Sequence, residues 1–483
     1  MSFLIEAEQY AVANQSIRNR YIQVNLLDFN FFTVDSLEGR CIDGSIDINA
    51  NSDIRRTCSV NFVVTDSSFN VEAGGKIWLD KYFQIYIGVE DLKTGEIVWT
   101  NTGIFLINQP SFMYDVSTRT MSFHGVDLMA KMTGLRNGYI TGIGSDQFTL
   151  IPVGSNVREV MIAVLQECGF NRYVIRECQN TDGVIQDVPY DMQFEQGATW
   201  YEILAALRDI LPNYQIYFDV DGVFHYEKIP SGVDDPVIIT EEIWENNLIQ
   251  ENLSIDFENV KNFIEVWGRV HDTEDFSDST MTLVTDNIIE PTWSALTELA
   301  DYIITALSLP SAITSSSGIY IYFNDETLII KDYSDNNITY LPADEYLTFS
   351  YDATDSCWRY LGGLQAHATY EDDNPESPFY VGGTIGRIAL VLSGEEYENI
   401  VSDDLALERA KFEIYNHCRL NDTINLTTIP IYWADVNLKV SYTNLSGDKT
   451  SKEYMIQSVN IPLAVDGVQT WNLSRFYPFY PII

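Results

Sequence analysis

Hydrophobic and polar residues alternate with a period of two through most of the first 130 residues. The apolar positions are Ile22, Val24 and Leu26, then Val60, Phe62 and Val64, then Phe83, Ile85, Ile87 and Val89, then Met121 and Phe123. This alternation is typical of antiparallel strands that bury one face. Gly95 lies between two such runs and suits the positive-φ position of a hairpin. The pattern predicts a first closed or nearly closed β-barrel over residues 1–135.

The pattern changes to a mixed one over residues 136–255. Apolar residues recur at helical spacing over 157–168, where Ser155 is placed to cap the helix and Gly169 to end it. A second helix begins at a capping box formed by Thr199 and Glu202. An Asp-Gly pair at 221–222 then separates two short apolar runs, which indicates a tight hairpin. We expect a compact α+β domain here.

Strand periodicity returns at 263–270 and again in several runs between 424 and 473. A helical pattern near 402–418 precedes the later runs. We interpret residues 256–285 and 400–483 as one second barrel, split by an inserted domain at 286–399 that is mainly β with one helix. The predicted fold class is therefore mainly β (α+β) and multidomain, with two antiparallel β-barrels, an α+β domain and an insertion.

The formal charge changes which partners are expected. The chain has 28 Lys and Arg against 70 Asp and Glu, which gives a net charge of −42. Nucleic acids and anionic membranes bind clustered cations, and the sequence has no basic stripe. Stable DNA binding is therefore excluded. The acidity serves solubility, or it forms a wall past which DNA slides without adhesion, and composition alone does not choose between these.

Other sequence features indicate a protein made in a cytosol. No window has the ~20 apolar residues of a membrane span, and the N-terminus lacks the pattern of a secretion signal. We therefore expect no membrane anchor. The six cysteines form no C-x-x-C pair and are interpreted as reduced thiols.

Candidate catalytic chemistry is not evident in the sequence. The five histidines are dispersed without zinc-site spacing, and we interpret His225 and His417 as structural. No nucleophile motif or phosphate-binding glycine loop occurs in a suitable context. A pair of carboxylates for glycoside hydrolysis stays open, because such pairs have no linear motif, although solvated surface charge is favoured. We expect no enzyme activity, no catalytic residues, no metal and no cofactor.

The order of parts resembles a known family of assembly proteins. Local segments carry the likeness: residues 454–463 with 475–478, residues 408–415 with 421–424, and residues 259–268. In the first barrel, residues 103–107 followed by 120–127 are similar to the same pattern. Together they resemble the hub proteins of bacteriophage tail tips and baseplates, which are related to the spike proteins of type VI secretion. The resemblance covers most of the chain except the insertion.

The resemblance implies a structural virion protein, assembled in the host bacterial cytoplasm. It implies a homotrimer whose two tail-tube-like barrels per chain adapt a six-fold tail tube to a three-fold tip and form part of the DNA channel. Implied partners are the tail tube or a distal tail protein, the tape measure protein and spike or other baseplate proteins. DNA passes during ejection without being bound.

Two alternatives remain at this level. In the first, the chain is a receptor- or carbohydrate-binding tail protein, and Trp293 and Trp358 of the insertion stack against a ligand. Core packing of a small β domain explains the same aromatic residues and is favoured. In the second, the chain is a wall-degrading enzyme, for which we expect no room because the sequence ends soon after the last predicted strand.

Overall fold

The structure is a computed structural model. It describes residues 7–36, 41–63, 71–114, 119–140, 150–180, 183–195, 197–230, 232, 235–270, 283–284, 319–324, 327–332, 346–352, 357–360, 365–394, 397–400 and 403–477. The chain forms two compact units, which are Met1–Val260 with Tyr415–Ile483, and Lys261–Ile414.

The described helices and strands follow in chain order. The helices are α1 (Ala7–Ala13), α2 (Val157–Glu167), α3 (Trp200–Arg208), α4 (Glu241–Asn247) and α5 (Asp403–His417). The first strands are β1 (Arg20–Leu27), β2 (Thr33–Ser36), β3 (Cys41–Asn49), β4 (Arg56–Val63), β5 (Tyr82–Glu90), β6 (Ile97–Tyr114) and β7 (Arg119–Val126). The next are β8 (Leu150–Ile151), β9 (Tyr173–Ile175), β10 (Met192–Gln193), β11 (Tyr214–Phe218), β12 (Phe224–Lys228), β13 (Val237–Ile239), β14 (Leu248–Asp256) and β15 (Phe263–Val270). The last are β16 (Leu283–Val284), β17 (Ile319–Asn324), β18 (Thr327–Asp332), β19 (Tyr346–Asp352), β20 (Cys357–Tyr360), β21 (Gln365–Glu371), β22 (Ala389–Leu392), β23 (Asn421–Thr428), β24 (Lys439–Thr443), β25 (Ser451–Pro462) and β26 (Gln469–Arg475).

The first unit is built on one 13-stranded sheet. Its main path runs β14-β23-β26-β25-β3-β4-β7-β6-β5-β1-β2, and β24 branches from β25 to pair with β13. Strand β4 shows why these segments form such a sheet, since its residues alternate between buried and half-buried along its whole length. Val60 and Phe62 of β4 point into the core, where Phe62 stacks on Phe123. One face of β4 is therefore held by packing.

Five strands of this sheet repeat in the same chain order and the same sheet order. The first set is β3-β4-β7-β6-β5 and the second is β14-β23-β26-β25-β24, and every neighbouring pair within each set is antiparallel. The strands beyond them differ, because β1 is antiparallel to β5 whereas β13 is parallel to β24. We call β1–β7 the first strand group, and β13, β14 and β23–β26 the second strand group. The predicted fold class, mainly β (α+β) with large antiparallel sheets, is confirmed, and the division into two β-barrels stays a prediction.

Both strand groups share one hydrophobic core. Buried residues of the first group, such as Ile46 and Phe83, belong to the same cluster as Trp471 of the second group and Trp244 of α4. Trp244 lies edge-on to Trp471 with ring centroids 5.3 Å apart. Aromatic side chains bury large areas, so this cluster holds the sheet in one arrangement.

The α+β part of the first unit contains the predicted helices and hairpin. Thr199 Oγ1 accepts a hydrogen bond from the Glu202 amide at 3.2 Å, as the capping box predicts. The predicted cap at Ser155 is wrong, because Asn156 Oδ1 accepts from the Glu159 amide at 3.1 Å. Asn and Ser are equally good caps, so composition does not separate neighbouring candidates. The Asp-Gly pair at 221–222 joins β11 to β12, which pair antiparallel.

The second unit holds a strand that the sequence assigned elsewhere. β15 pairs antiparallel with β21 and parallel with β22, so placing this strand in the second barrel is wrong. Alternation identifies a strand but not its partner. The fully buried Asn262 fixes the partners, because its amide donates to the carbonyls of Phe379 and Gly386 and accepts from the Ile388 amide. The remaining domain boundaries stay predictions.

The rest of the second unit includes a five-stranded sheet in the order β16-β20-β19-β18-β17. Its strands β17 to β20 lie in the segment predicted as a mainly β insertion, whereas β16 lies just before it, in residues predicted to belong to the second barrel. The helix predicted around Trp293 falls outside the described residues.

Candidate assembly site at the seam of the two strand groups

The two strand groups join edge to edge along β25 and β3. Ser458–Pro462 pair antiparallel with Ser45–Asn49, and two further backbone bonds extend the joint. The Ala50 amide donates to the Gln457 carbonyl at 2.9 Å, and the Leu463 amide donates to the Gly44 carbonyl at 2.8 Å. We call this joint the seam. It connects segments that are more than 400 residues apart in the chain, so no local sequence signal specifies it.

Strand β25 is long enough to pair with two different strands along the same edge. Its first half pairs with β24 over Ser451–Met455, and its second half pairs with β3. A β-bulge between Ile456 and Ser458 separates the halves. Bulges bend a strand and increase its twist, which lets one strand pass from one sheet neighbour to another.

Gly44 allows the close approach of the strands beside the seam. Its φ is +144°, and a Cβ at this position would lie 2.0 Å from the Ser59 carbonyl oxygen. Any side chain would therefore push β3 away from β4. Since β3 also forms the seam, the joint between the groups depends on this glycine.

The core side of the seam is apolar and dry. Ile46 and Ile48 of β3 are buried, as are Val459 and Ile461 of β25. Within the register, Ile461 lies opposite Ile46 and Val459 lies opposite Ile48. These pairs supply the hydrophobic stabilisation of the joint.

The opposite side of the seam is a shallow hollow of about 380 Å³, lined by amide and hydroxyl groups, the Asp47 carboxylate and apolar residues such as Trp471. The Asn460 amide donates to the Asp47 carboxylate at 2.6 Å, and the Asn472 amide donates to Asn425 at 3.0 Å. Among the residues that line this hollow there is no Lys or Arg. The hollow therefore offers no cation to a phosphate backbone.

A pair of buried arginines, Arg55 and Arg56, lies next to the seam at the start of β4. Arg56 donates to the Phe218 carbonyl at 2.6 Å and forms an ion pair with Asp435. Arg55 donates to Gln215 Oε1 at 2.5 Å, and its guanidinium stacks 3.9 Å from the Tyr217 ring. We call these contacts the arginine junction. It ties the first strand group to the α+β part and to the loop before β24.

Burial sets the electrostatics of the arginine junction. Burial lowers the pKa of Arg55, and the side chain is 6% exposed. Burial also raises the pKa of Asp127 to about 6, although Asp127 accepts hydrogen bonds from the Arg56 and Met129 amides, each at 2.9 Å. Buried charges of this kind hold elements in register but supply no reacting group that faces a cleft.

The sequence did not single out the arginine junction, although it contained a signal. Arg55 and Arg56 are the one pair of adjacent basic residues in the sequence, which has only 28 Lys and Arg residues in total. A basic pair at the start of a buried strand in so acidic a chain indicates internal ion pairing.

Histidines and acids do not gather into a site in the described part of the chain. No group of three or more His, Cys, Asp or Glu there is placed to hold a metal ion. His225 Nε2 lies 2.9 Å from an Asp219 carboxylate oxygen, and His417 Nδ1 lies 2.9 Å from the Asn259 carbonyl. Both contacts fit the structural roles predicted. None of the described helices is long and apolar enough to cross a bilayer.

The two tryptophans proposed for ligand stacking belong to the segment predicted as an insertion. Trp293 lies outside the described residues. Trp358 belongs to β20, where its register partners are Leu283 and Tyr351. A role for either residue in ligand binding stays a prediction.

Comparison with known proteins concerns the fold. A family model described as a domain of unknown function (DUF5048) matches residues 376–480, which is less than half of the chain. No curated protein matches the sequence. A 43 kDa tail protein of prophage MuSo2 from Shewanella oneidensis has a similar structure, with 12% identity and a TM-score of 0.51 over 95% of this chain and 98% of that one. A tail protein from Neisseria meningitidis MC58 has 10% identity and a TM-score of 0.50, again over 95% and 98% of the two chains. At these identities the likeness establishes a shared fold.

Proposed function

We propose that this chain, which has the fold of phage tail proteins, is a structural subunit of a tail tip or baseplate hub. Three copies surround an axis, and the two strand groups of each copy supply six similar units. Such a ring matches a six-fold tail tube on one side and a three-fold tip on the other. The observation that carries this proposal is the repeated strand order of the two groups.

The symmetry argument needs two modules of like shape in each chain. Closed rings form when each interface is heterologous and the rotation between units closes. The seam is one such heterologous joint, already made inside the chain between β25 and β3. A ring of three chains requires one further joint per chain, between the second strand group of one copy and the first strand group of another.

The charge of the chain suits a channel through which DNA passes. The net charge is −42, and the hollow on the solvent side of the seam has no cationic lining. A wall of neutral amides and hydroxyls with occasional carboxylates repels or ignores phosphates. A duplex then moves past it without adhering during ejection.

The proposed partners are those of an adaptor. They are two further copies of this chain, the tail tube or a distal tail protein on the six-fold side, and the tape measure and spike proteins at the tip. The proposed location is the virion, after assembly in the bacterial cytoplasm. The role requires no catalytic step and no cofactor.

Light scattering on the purified full-length protein, followed by negative-stain imaging, tests the proposal. The expected mass is three times 55.0 kDa, and the expected particle is a three-fold ring with a central hole. Retention of labelled duplex DNA at low salt provides a second readout, and we expect none. A monomer at all concentrations, or a particle without a central hole, would contradict the proposal.

A further inference from the structure

Besides the outer sides of β2 and β13, each of which pairs with one strand only, two edges of the 13-stranded sheet have no partner among the described strands. One is the outer side of β14, which pairs only with β23. The other is one side of the second half of β6, since β5 pairs with β6 only as far as Leu106. Open strand edges are templates for pairing with another chain unless they are blocked.

The open half of β6 corresponds to the half of β25 that makes the seam. The first half of β25 pairs with β24, and the first half of β6 pairs with β5, the strand equivalent to β24. A bulge follows in both strands, between Ile456 and Ser458 in β25 and between Asn108 and Ser111 in β6. Beyond the bulge, β25 pairs with β3. The same place beside β6 has no described strand.

The open strand β14 corresponds to β3, the other half of the seam. Each is the first strand in its repeated set, and each pairs on its inner side with the next strand of that set. The outer side of β3 pairs with β25. The outer side of β14 has no partner among the described strands, so each half of the seam has a counterpart in the other strand group without a described partner.

We propose that β14 of one copy pairs antiparallel with the second half of β6 of another copy, so that the seam is repeated between chains. This inference rests on the proposed function, because it supplies the joint that a ring of three chains needs. The occupant of each open edge is a second copy of this chain. We expect the contact between copies to have the same strand pairing as the internal seam. The repeat gives each copy the two equivalent strands that this pairing needs, β14 and the second half of β6.

The repeat also sets the register. Ile107 and Ile456 are the last buried residues before the bulges, and they lie opposite Gly125 and Leu473. In the first set, Gly125 of β7 lies opposite Cys58 of β4, which lies opposite Ile46 of β3. In the second set, Leu473 of β26 lies opposite Ile424 of β23, which lies opposite Leu253 of β14. Leu253 is therefore the counterpart of Ile46.

On the long strands, the same alignment makes Phe112 the counterpart of Ile461. Phe112 lies opposite Met121 of β7. Met121 is the second inward-facing residue from Gly125, after Phe123. Val459 lies opposite Trp471 on β26, so continuing the register places Ile461 opposite Gln469, the second inward position beyond Leu473. Since Ile461 lies opposite Ile46 in the seam, Phe112 of one copy lies opposite Leu253 of the other.

Exposure of apolar side chains supports this joint. Phe112 on β6 is 40% exposed, and Ile255 on β14 is 45% exposed. Their counterparts at the internal seam are covered, since Ile461 and Ile48 are 1% and 3% exposed. Apolar groups grouped at an open edge indicate an interface. Pairing β14 with β6 buries them as the seam buries its own.

A disulfide between copies tests the register. The double variant Phe112→Cys with Leu253→Cys places two thiols opposite each other, at the ~4.5–5.5 Å Cα separation of an antiparallel pair, which lies within the range for a disulfide. Mild oxidation of the full-length protein is expected to give covalent dimers and trimers on a non-reducing gel. A bond inside one chain would leave the monomer mass unchanged, so the ladder reports contact between copies.

Three matched controls define the result. Met113→Cys with Leu253→Cys has the same thiol content, but the side chains point to opposite faces of the sheet. Each single variant and the wild type measure background from the native cysteines. A wild type that is trimeric by light scattering, but whose opposed pair cross-links no more than the shifted pair, would overturn the joint and leave the proposed function standing. A monomeric wild type would overturn both.

A disruptive variant gives a second readout that does not depend on thiol chemistry. Phe112→Asp places a charge in the proposed joint, and we expect the mass to fall to that of the monomer while circular dichroism stays unchanged. Val465→Asp is the control, because Val465 is 83% exposed and lies in the turn between β25 and β26, outside β6 and β14. If Phe112→Asp remains a trimer, the joint is elsewhere.

Discussion

At the scale of single residues, Arg56 joins three parts of the first unit. Its guanidinium binds Asp435 and the Phe218 carbonyl, and its backbone amide donates to Asp127. The side chain is 1% exposed, so water does not replace a contact that is lost. Removing one partner of a buried ion pair leaves an uncompensated charge, which is strongly destabilising.

We therefore expect Arg56→Met to lower the free energy of unfolding by about 3–5 kcal/mol. Chemical denaturation followed by circular dichroism measures this change. The control is Lys81→Met, which removes a surface ion pair with Asp80 and is expected to cost less than about 1 kcal/mol. Equal effects of the two variants would contradict a structural role for the arginine junction.

Asp127 gives the junction a pH dependence of defined sign. Burial raises its pKa to about 6 from an ordinary value of 3.8. Between these values the folded protein binds a proton that the unfolded chain does not, so this group stabilises the fold as the pH falls through 6 towards 4. The effect reaches about 3 kcal/mol at most, since one pH unit corresponds to about 1.4 kcal/mol.

The comparison of wild type with Asp127→Asn isolates this contribution. We expect the wild type to gain stability relative to the variant as the pH is lowered from 7 to 4, measured by urea denaturation at each pH. Other carboxylates titrate in both proteins and cancel in the difference. A difference that stays constant with pH, or shrinks on acidification, would show that Asp127 is not protonated in the folded state near pH 6.

Contacts between residues that are close in the chain could be predicted from the sequence in part. Thr199 with Glu202 was predicted correctly because a capping box involves residues only three apart. The cap of α2 was placed at Ser155 rather than Asn156, since both side chains suit the position. The partners of Arg55 and Arg56 could not be predicted, because Gln215 and Asp435 lie far away in the chain.

At the scale of elements, Gly44 controls how close β3 lies to β4 and therefore how β3 meets β25. We expect Gly44→Ala to destabilise the protein by more than about 2 kcal/mol, because it combines a positive φ with a backbone clash. Thermal unfolding measures the loss.

Gly95→Ala distinguishes the cost of a positive φ from the cost of a backbone clash. Gly95 also has a positive φ, +75°, but no atom lies within 4 Å of an added Cβ. Its cost is expected to be only about 1 kcal/mol, from the backbone conformation alone. If both alanine variants lose the same stability, the close approach of β3 and β4 contributes nothing.

Strands were easier to predict than their partners. Alternating residues predicted β4, β5 and β7, as well as the later strands β23 to β26. The same rule assigned β15 to the second strand group, although it pairs with β21 and β22. Periodicity reports which face of a strand is buried, and it carries no information about the neighbouring strand.

At the scale of the whole molecule, the repeat explains where the second unit is inserted. β3 and β4 are joined by a short turn, Ala50–Arg55. The equivalent strands β14 and β23 are separated by the second unit, Lys261–Ile414. An insertion at a hairpin turn leaves the strand pairing intact, which is why the sequence could suggest two related modules despite the interruption.

The net charge of −42 per chain opposes assembly into a ring. Three copies with the same sign repel each other, while the proposed joint between β14 and β6 is made of backbone pairing and apolar side chains such as Phe112 and Leu253. Salt screens charge repulsion, with a Debye length of about 30 Å at 0.01 M and about 8 Å at physiological ionic strength. Hydrophobic contacts are not weakened by this screening.

We therefore expect the fraction of trimer to rise as sodium chloride increases from low millimolar to physiological concentration. Sedimentation velocity at a fixed protein concentration measures the change, and Phe112→Asp is the control, because it should remain monomeric at every salt concentration. A trimer that dissociates as salt is added would mean that ion pairs between copies hold the ring together. The apolar edge joint would then not be the main contact between chains.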